Sequence, residues 1–205
     1  MYAIITDGSI SRYVNHPKPL VIGDVQYPAR IFSAWTASEL AAIGIIEVTF
    51  NNSNKKDEQW YINTNQTYTY DASAGTVTAT YGTATAKAHA DRNATDKDGV
   101  ELDPVIVIEG LKTKLIRTVK AQAEGLLNQT DWYITRKAEK NTAVPSAITT
   151  WRDGIRTKQA AMETSITNAS NTPALETLYA YVNTADEGEP VVMARPLGEF
   201  PELGS

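Results

Sequence analysis

The sequence predicts an α+β fold. Up to residue 108, short apolar runs alternate with turn-forming residues, which is typical of strands and hairpins. From Gly110 onward, apolar residues recur every three or four positions, which is the spacing of amphipathic helices. The 205 residues, 42% of them hydrophobic, are enough chain for a sizeable core. We therefore expect four parts: a small N-terminal α+β module (1–50), a β-hairpin and acidic linker region (51–109), a helical hairpin domain (110–182) and an extended acidic C-terminal arm (183–205).

Two β-hairpins are predicted from turn chemistry. Residues 2–14 contain two apolar runs on either side of Asp7-Gly8, a dipeptide favoured in tight turns between antiparallel strands. Residues 68–81 contain two Thr- and Tyr-rich runs around a four-residue turn that ends in Gly75. Both segments therefore read as antiparallel strand pairs.

A short helix is expected between the two hairpins. Thr36 or Ser38 is placed to cap it, and it should end near Gly44. Residues 45–50 then resume an extended, apolar pattern.

The acidic run at 91–103 invites comparison with a calcium-binding loop, but its spacing does not fit. When Gly99 is aligned with the turn glycine of an EF-hand, Ala94 falls at the first ligand position and Val105 at the last. A solvated acidic linker is the favoured interpretation over a metal site. Residues 105–108 are predicted to form one short buried strand.

Three helices are expected in the second half of the chain. The first carries an apolar stripe over 111–126, the second begins at Pro145, and a shorter third follows Thr172-Pro173. The two long helices should pack as an antiparallel pair, each covering the apolar stripe of the other.

Charge divides unevenly along the chain and suggests a role for the arm. Residues 1–109 carry 8 basic and 13 acidic side chains, residues 110–182 carry 10 and 6, and residues 183–205 carry 1 and 5. We expect the acidic arm to lie on basic helices, in its own or a neighbouring subunit, with a disordered terminus as the alternative. Deletion of residues 186–205 should weaken assembly and leave the thermal stability of the fold nearly unchanged. The candidate partner-binding residues of the arm are Val191, Val192, Met193, Arg195, Leu197, Phe200 and Leu203.

Composition argues against several function classes. The chain has no cysteine, which excludes disulfides, thiolate metal sites and cysteine nucleophiles, and its only histidines, His16 and His89, stand outside metal-binding spacings. A net charge of −5 argues against nucleic-acid binding. No apolar stretch is long enough to span a membrane, and no cofactor motif occurs. An enzyme is not expected, although a pair of buried carboxyl groups acting on sugars would revive that alternative.

One ordered set of residues stands out between the long helices. It consists of Thr130-Asp131-Trp132, then Val144-Pro145, then Trp151-Arg152 followed by Ile155-Arg156. This order resembles the C-terminal region of phage tail assembly chaperone and tail-fibre assembly-like proteins of tailed phages. The first fifty residues look like the module that often precedes it, so that the resemblance covers about 1–48 and 111–170.

The resemblance implies a virion component, a tail-fibre or baseplate-associated adaptor assembled in the host cytoplasm. Its partners would be other tail, fibre or baseplate proteins, in a homo-oligomer or a hetero-complex. The alternative is an assembly chaperone that leaves before the particle is complete. No catalytic or binding residue is carried over from the family.

The motif residues are given structural roles by elementary physics. Asp131 or Thr130 should cap a short helix over 132–140. Trp132 and Trp151 should be the large anchors where that helix meets the second long one.

Two arginines of the motif lie one turn apart on one helix face. We expect Arg152 or Arg156 to pair with Asp131 or Glu139. A structural role is favoured for them over binding to a partner.

Overall fold

Strands dominate the first part of the chain and helices the second. The computed structural model describes residues 1–204, which divide into two units between Thr85 and Ala86. The presence of both helices and a multistranded sheet confirms the α+β class. The division falls at none of the three internal boundaries expected, near residues 50, 109 and 182.

The first unit begins with the predicted hairpin and contains one larger sheet. Its elements are β1 (Tyr2–Thr6), β2 (Ser9–Val14), β3 (Leu20–Ile22), β4 (Val25–Tyr27), α1 (Ile31–Ala34), α2 (Ala37–Ala42), β5 (Ile45–Asn51), β6 (Tyr61–Ile62), β7 (Gln66–Asp71) and β8 (Thr76–Tyr81), with β9 (Thr85–Ala86) at the junction. Asp7 and Gly8 have φ angles of 52° and 74°, as a tight antiparallel turn requires. Both predicted hairpins, β1–β2 and β7–β8, are confirmed.

Helix α2 begins where a capping box forms. The Thr36 hydroxyl accepts a hydrogen bond from the Glu39 amide at 3.3 Å, and the Glu39 carboxylate accepts one from the Thr36 amide at 2.7 Å. The backbone hydrogen bond from Thr36 lowers the pKa of Glu39, because it favours the charged form. Of the two candidate caps, Thr36 is therefore the one used.

The five-stranded sheet has the order β2-β1-β5-β8-β7. Strands β5 and β8 pair in parallel, while the other neighbours are antiparallel. The sheet curls, so that Tyr13 on β2 and Tyr68 on β7 bring their ring centroids within 4.8 Å. Because β5 pairs directly with β8, the predicted N-terminal module and the middle hairpin share one sheet.

Both faces of this sheet are apolar. One face packs against α1, α2 and the β3–β4 hairpin. The residues buried between this face and those elements are Ile4, Val14, Leu20, Ile31, Phe32, Leu40 and Ile45. The other, concave face buries Ala3, Val48, Val77 and Ala79. Alternation along each strand sends neighbouring residues to opposite faces, which is why Ala3 and Ile4 belong to different clusters.

The second unit is mainly helical. Its elements are β10 (Arg92–Asn93), β11 (Val107–Ile108), α3 (Leu111–Asn128), α4 (Asp131–Lys140), α5 (Ser146–Asn168), α6 (Thr172–Tyr179), β12 (Val182–Asn183) and β13 (Met193–Ala194). All three predicted helices are present. Pro145 is the N-cap of α5 rather than its first residue, a shift of one position.

Helices α3 and α5 form the predicted antiparallel pair. Lys112 at the start of α3 donates to the Thr167 carbonyl at the end of α5, at 2.7 Å. At the other end, Arg152 of α5 donates to the Leu127 carbonyl of α3, at 2.8 Å. The side chains buried on the two helices are Val119, Ala123, Trp151, Arg152, Ile155, Met162 and Ile166.

The start of α3 is fixed by Asp91. Its carboxylate accepts hydrogen bonds from the Gly110 amide at 2.7 Å and from the Thr113 hydroxyl at 2.8 Å. The Gly110 hydrogen bond is the main reason why the pKa of Asp91 is lowered, and Thr113 adds to it. A β-carbon on Gly110 would lie 2.4 Å from the Ala90 carbonyl carbon, so no larger residue fits without backbone movement.

The acidic run contains a turn closed by one of its own carboxylates, and the strand after it differs from the prediction. The Asp96 carboxylate accepts from the amides of Asp98 and Val100 and so closes its own turn. Within residues 1–204, no three His, Asp or Glu side chains are grouped to hold a metal ion. The prediction of a buried strand at 105–108 is wrong, because all four side chains are exposed and only Val107–Ile108 pair, with β10.

Candidate functional site

The most deeply buried charge of the second unit is Arg152. Its Nη1 atom lies 2.8 Å from the Leu127 carbonyl oxygen, 2.8 Å from the Thr130 hydroxyl and 2.8 Å from an Asp131 carboxylate oxygen. The Arg152 side chain is only 9% exposed, whereas Asp131 is 52% exposed and remains in contact with water. Of the pairings predicted for Arg152 or Arg156 with Asp131 or Glu139, the one that forms is Arg152 with Asp131, and it joins α3, α4 and α5.

Thr130 occupies the N-cap position of α4 but does not cap it in the expected way. Its hydroxyl donates to the Leu127 carbonyl at 3.1 Å and receives the Arg152 hydrogen bond. The Thr130 side chain caps no amide of α4, and Asp131 is the first residue of the helix. The capping prediction is wrong because the Thr130 hydroxyl instead donates to the Leu127 carbonyl and accepts from the buried Arg152 guanidinium.

The two tryptophans of the motif have different environments. Trp151 is 7% exposed and donates from Nε1 to the Pro201 carbonyl at 2.9 Å. Trp132 is 51% exposed, and its ring stacks on Tyr133 of its own helix with centroids 3.8 Å apart. Trp151 is a buried anchor, but it packs against α3 and the C-terminal arm rather than against α4. The prediction for Trp132 is wrong because α4 turns that residue outward.

Arg156 does not take part in the buried cluster. It pairs with Asp153 one turn away on the same helix, at 3.1 Å, with both side chains more than half exposed. An exposed pair of this kind contributes little to stability.

The C-terminal arm divides into a docked part and an exposed part. Leu197 is buried, and its amide donates to the Leu178 carbonyl at 3.0 Å. Phe200 packs against the cluster of Ala123, Trp151 and Ile155. The arm therefore lies on helices of its own subunit, as one of the predicted alternatives has it, and its docked part belongs to the core of this unit. The candidate arm residues left exposed are Val191, Val192, Met193 and Leu203.

A small polar network joins the docked arm to the end of α6. The Arg195 guanidinium makes a two-point ion pair with the Glu199 carboxylate, with both contacts at 2.7 Å. The Tyr181 hydroxyl donates to Glu199 at 2.6 Å, which raises the pKa of Tyr181. Burial opposes the charge on Glu199, yet the hydrogen bonds from Tyr181 and Arg195 outweigh it and lower the pKa of this carboxyl. Burial raises the pKa of Tyr179, which lies beneath the Arg195 guanidinium.

Between α6 and this network the chain forms a short ribbon, here called the C-terminal hairpin (residues 181–194). Strands β12 and β13 pair antiparallel, and the Asn183 side chain accepts from the Val192 amide at 3.0 Å. The hairpin displays five apolar side chains, each between 48% and 70% exposed: Tyr181, Val182, Val191, Val192 and Met193. Sequence reasoning missed Tyr181 and Val182, although an apolar pair followed by the acidic turn at 186–189 is a hairpin signal.

Comparison with known protein families, with curated proteins and with solved structures finds no match to this chain. Among residues 1–204, none of the helices has the length and apolar character needed to cross a membrane.

Proposed function

We propose that this chain is a non-enzymatic component of a tailed-phage virion, a structural adaptor that binds other tail-fibre or baseplate proteins through the C-terminal hairpin. The observation that carries the proposal is the exposure of five apolar side chains on that ribbon. Contiguous apolar patches on a protein surface mark sites of interaction with other proteins. The resemblance of the 130–156 motif to tail assembly proteins supports the phage context.

The hairpin is suited to binding because it is already ordered. Its ladder hydrogen bonds and the Arg195–Glu199–Tyr181 network hold its base in place. A preorganised surface loses less conformational entropy on association than a flexible terminus does. Each of the two strands also has an outer edge with no neighbouring strand. An extended segment of a partner can pair with such an edge by strand addition.

The alternative is a transient assembly chaperone, which would use the same hairpin to hold a fibre or tail protein until assembly. The two functions make the same contacts and differ in whether the chain stays in the finished particle. Quantitative mass spectrometry of density-purified particles separates them. A fixed ratio to the major tail protein that survives a high-salt wash supports the adaptor. Absence from particles, with abundance in the infected lysate, rejects the adaptor and supports the chaperone.

A pair of variants tests whether the hairpin is the binding surface. Val191→Ser/Val192→Ser removes two of its exposed apolar side chains and should reduce incorporation into particles by about tenfold or more, since buried valines at an interface contribute about 1–2 kcal/mol each. The matched control is Val21→Ser/Val25→Ser, which changes two valines on the β3–β4 hairpin that are each about half exposed. Both proteins should keep the wild-type melting temperature. Equal incorporation of the two variants would reject the hairpin as the surface.

A further inference from the structure

The first unit contains a cleft with aromatic walls and one carboxylate. The cleft, of about 260 Å³, lies between β1, β5 and the α1–α2 segment. Its aromatic residues are Tyr2, Phe32 and Trp35, and Glu47 lies at its edge. We call it the aromatic cleft. It has no part in the contacts proposed above for the C-terminal hairpin.

The position of Glu47 breaks the pattern of the strand that carries it. In the β1–β5 ladder, Ile4 pairs with Ile45, and the next pair on the same face is Tyr2 with Glu47. That face packs against the helices, and Ile4 and Ile45 are both buried in its core. An apolar residue at position 47 would extend this core, yet the sequence places a carboxylate there. Departures from a local folding rule of this kind are expected where a protein binds something.

The carboxylate of Glu47 is available. Within residues 1–204 it forms no ion pair and no hydrogen bond, and the other side chains that line the cleft are apolar or aromatic. The nearby acidic residue of α2, Glu39, is already used in the capping box with Thr36. The negative charge of Glu47 is therefore free to pair with a cation brought by a partner.

The aromatic walls narrow the kind of cation. Phe32 is buried against Tyr2 with ring centroids 4.8 Å apart, a contact that holds both rings in place. Trp35 is 36% exposed and is held edge-on by Tyr27, with centroids 5.8 Å apart. An accessible indole held in place beside a free carboxylate fits a planar guanidinium, which stacks on an aromatic face and pairs with a carboxylate at two points.

We propose that the aromatic cleft binds an arginine side chain of a partner polypeptide, with Glu47 as its counter-ion and Trp35 as its stacking surface. The volume of the cleft is slightly below the range of sites for drug-sized ligands and suits a single side chain. The partner identified by this chemistry is a protein segment that presents an exposed arginine. The inference does not depend on the particle in which the chain acts.

The test is an NMR titration of the full chain, labelled so that its four tryptophan indole N–H groups are visible. The Trp35 signal is assigned as the one missing in Trp35→Phe. The probe is the capped tripeptide Gly-Arg-Gly, compared with Gly-citrulline-Gly, which keeps the shape without the charge, and with Gly-Lys-Gly. We expect a saturable shift of Trp35 alone, with the arginine peptide binding more tightly than the other two.

Glu47→Gln should weaken binding of the arginine peptide by about fivefold or more, since it removes the charge partner. The matched control is Asp24→Asn, an exposed acid of the same unit that lies outside the cleft and should leave the titration unchanged. Because Glu47 is exposed, its replacement should leave the fold intact, which the unchanged spectrum outside the cleft verifies.

Any of three results would overturn the inference. The Trp35 signal could fail to shift in a saturable way, or it could respond equally to the citrulline or lysine peptide. Wild type and Glu47→Gln could also bind the arginine peptide equally well. If the Trp35 signal already depends on protein concentration without peptide, the cleft binds a second copy of the chain. That result would overturn the proposal that its partner is a different polypeptide. None of these results bears on retention in the virion, so failure here and failure of the proposed function are distinguishable.

Discussion

Replacement of Arg152 by alanine should destabilise the helical unit more than any other single change of a charged residue in the 130–156 motif. The substitution removes the guanidinium that joins α3, α4 and α5 through Leu127, Thr130 and Asp131. It also removes the packing of a side chain that is 9% exposed.

The size of the effect follows from what is left behind. Loss of one partner from a fully buried ion pair costs about 3–5 kcal/mol. Here the Asp131 carboxylate is half exposed, so water solvates it once the arginine is gone. The Leu127 carbonyl still accepts from the Thr130 hydroxyl at 3.1 Å. What remains is the loss of one charge-assisted hydrogen-bonded group and its packing, about 2–3 kcal/mol.

The measurement is urea unfolding followed by circular dichroism at 222 nm, which reports mainly on the helices of the second unit. Asp131→Asn should cost less than about 1 kcal/mol, because its partner keeps two neutral acceptors and the carboxylate is solvent-exposed. Arg156→Ala is the matched control and should cost under about 0.5 kcal/mol, since its pair with Asp153 is exposed.

Two results would refute the reasoning about Arg152. If Arg152→Ala and Arg156→Ala destabilise equally, burial of the guanidinium does not matter. If Asp131→Asn costs as much as Arg152→Ala, the cluster is held by the ion pair alone rather than by the shared hydrogen bonds.

Three further predictions concern the helical unit. Gly110→Ala should destabilise it by about 2–3 kcal/mol, because the new methyl group clashes with the Ala90 backbone. Gly125→Ala meets no atom within 4 Å and should stabilise α3 by about 0.5–1 kcal/mol. Similar melting temperatures for the two variants would contradict this prediction. Truncation before residue 194 should lower the free energy of unfolding in urea by about 3 kcal/mol, because it removes the buried Leu197 and the packing of Phe200 on Trp151. An unchanged unfolding midpoint would indicate that the arm is separate from the core. The pKa of Asp91 is lower in the folded protein, so the stabilisation by its carboxylate is present above the unfolded pKa of about 4 and is lost as pH falls through the folded pKa. The difference in melting temperature between wild type and Asp91→Asn should therefore shrink in acid. A difference that does not change with pH would be inconsistent with this pKa shift.

The sequence determined those features that depend on a few neighbouring residues. The Asp7-Gly8 turn, the Thr36 cap and the start of α5 at Pro145 all depend on local backbone angles and local hydrogen bonds. Helical periodicity likewise identified the antiparallel pair, because it shows which side chains share a face. Helical spacing also predicted that Arg152 or Arg156 would pair with Asp131 or Glu139, and the structure selects Arg152 with Asp131.

Only the tertiary structure decided which of these faces is covered and by what. Periodicity and motif gave Trp132 and Trp151 equal weight, but the rotation of α4 about its axis exposes the first, while Pro201, fifty positions away, covers the second. The parallel pairing of β5 with β8 and the docking of Leu197 are likewise contacts between segments that are distant in the chain. A local pattern fixes the direction of a side chain along its own element. Its burial depends on a partner whose position is set by the packing of the whole chain, and that packing also leaves Glu47 and the C-terminal hairpin uncovered.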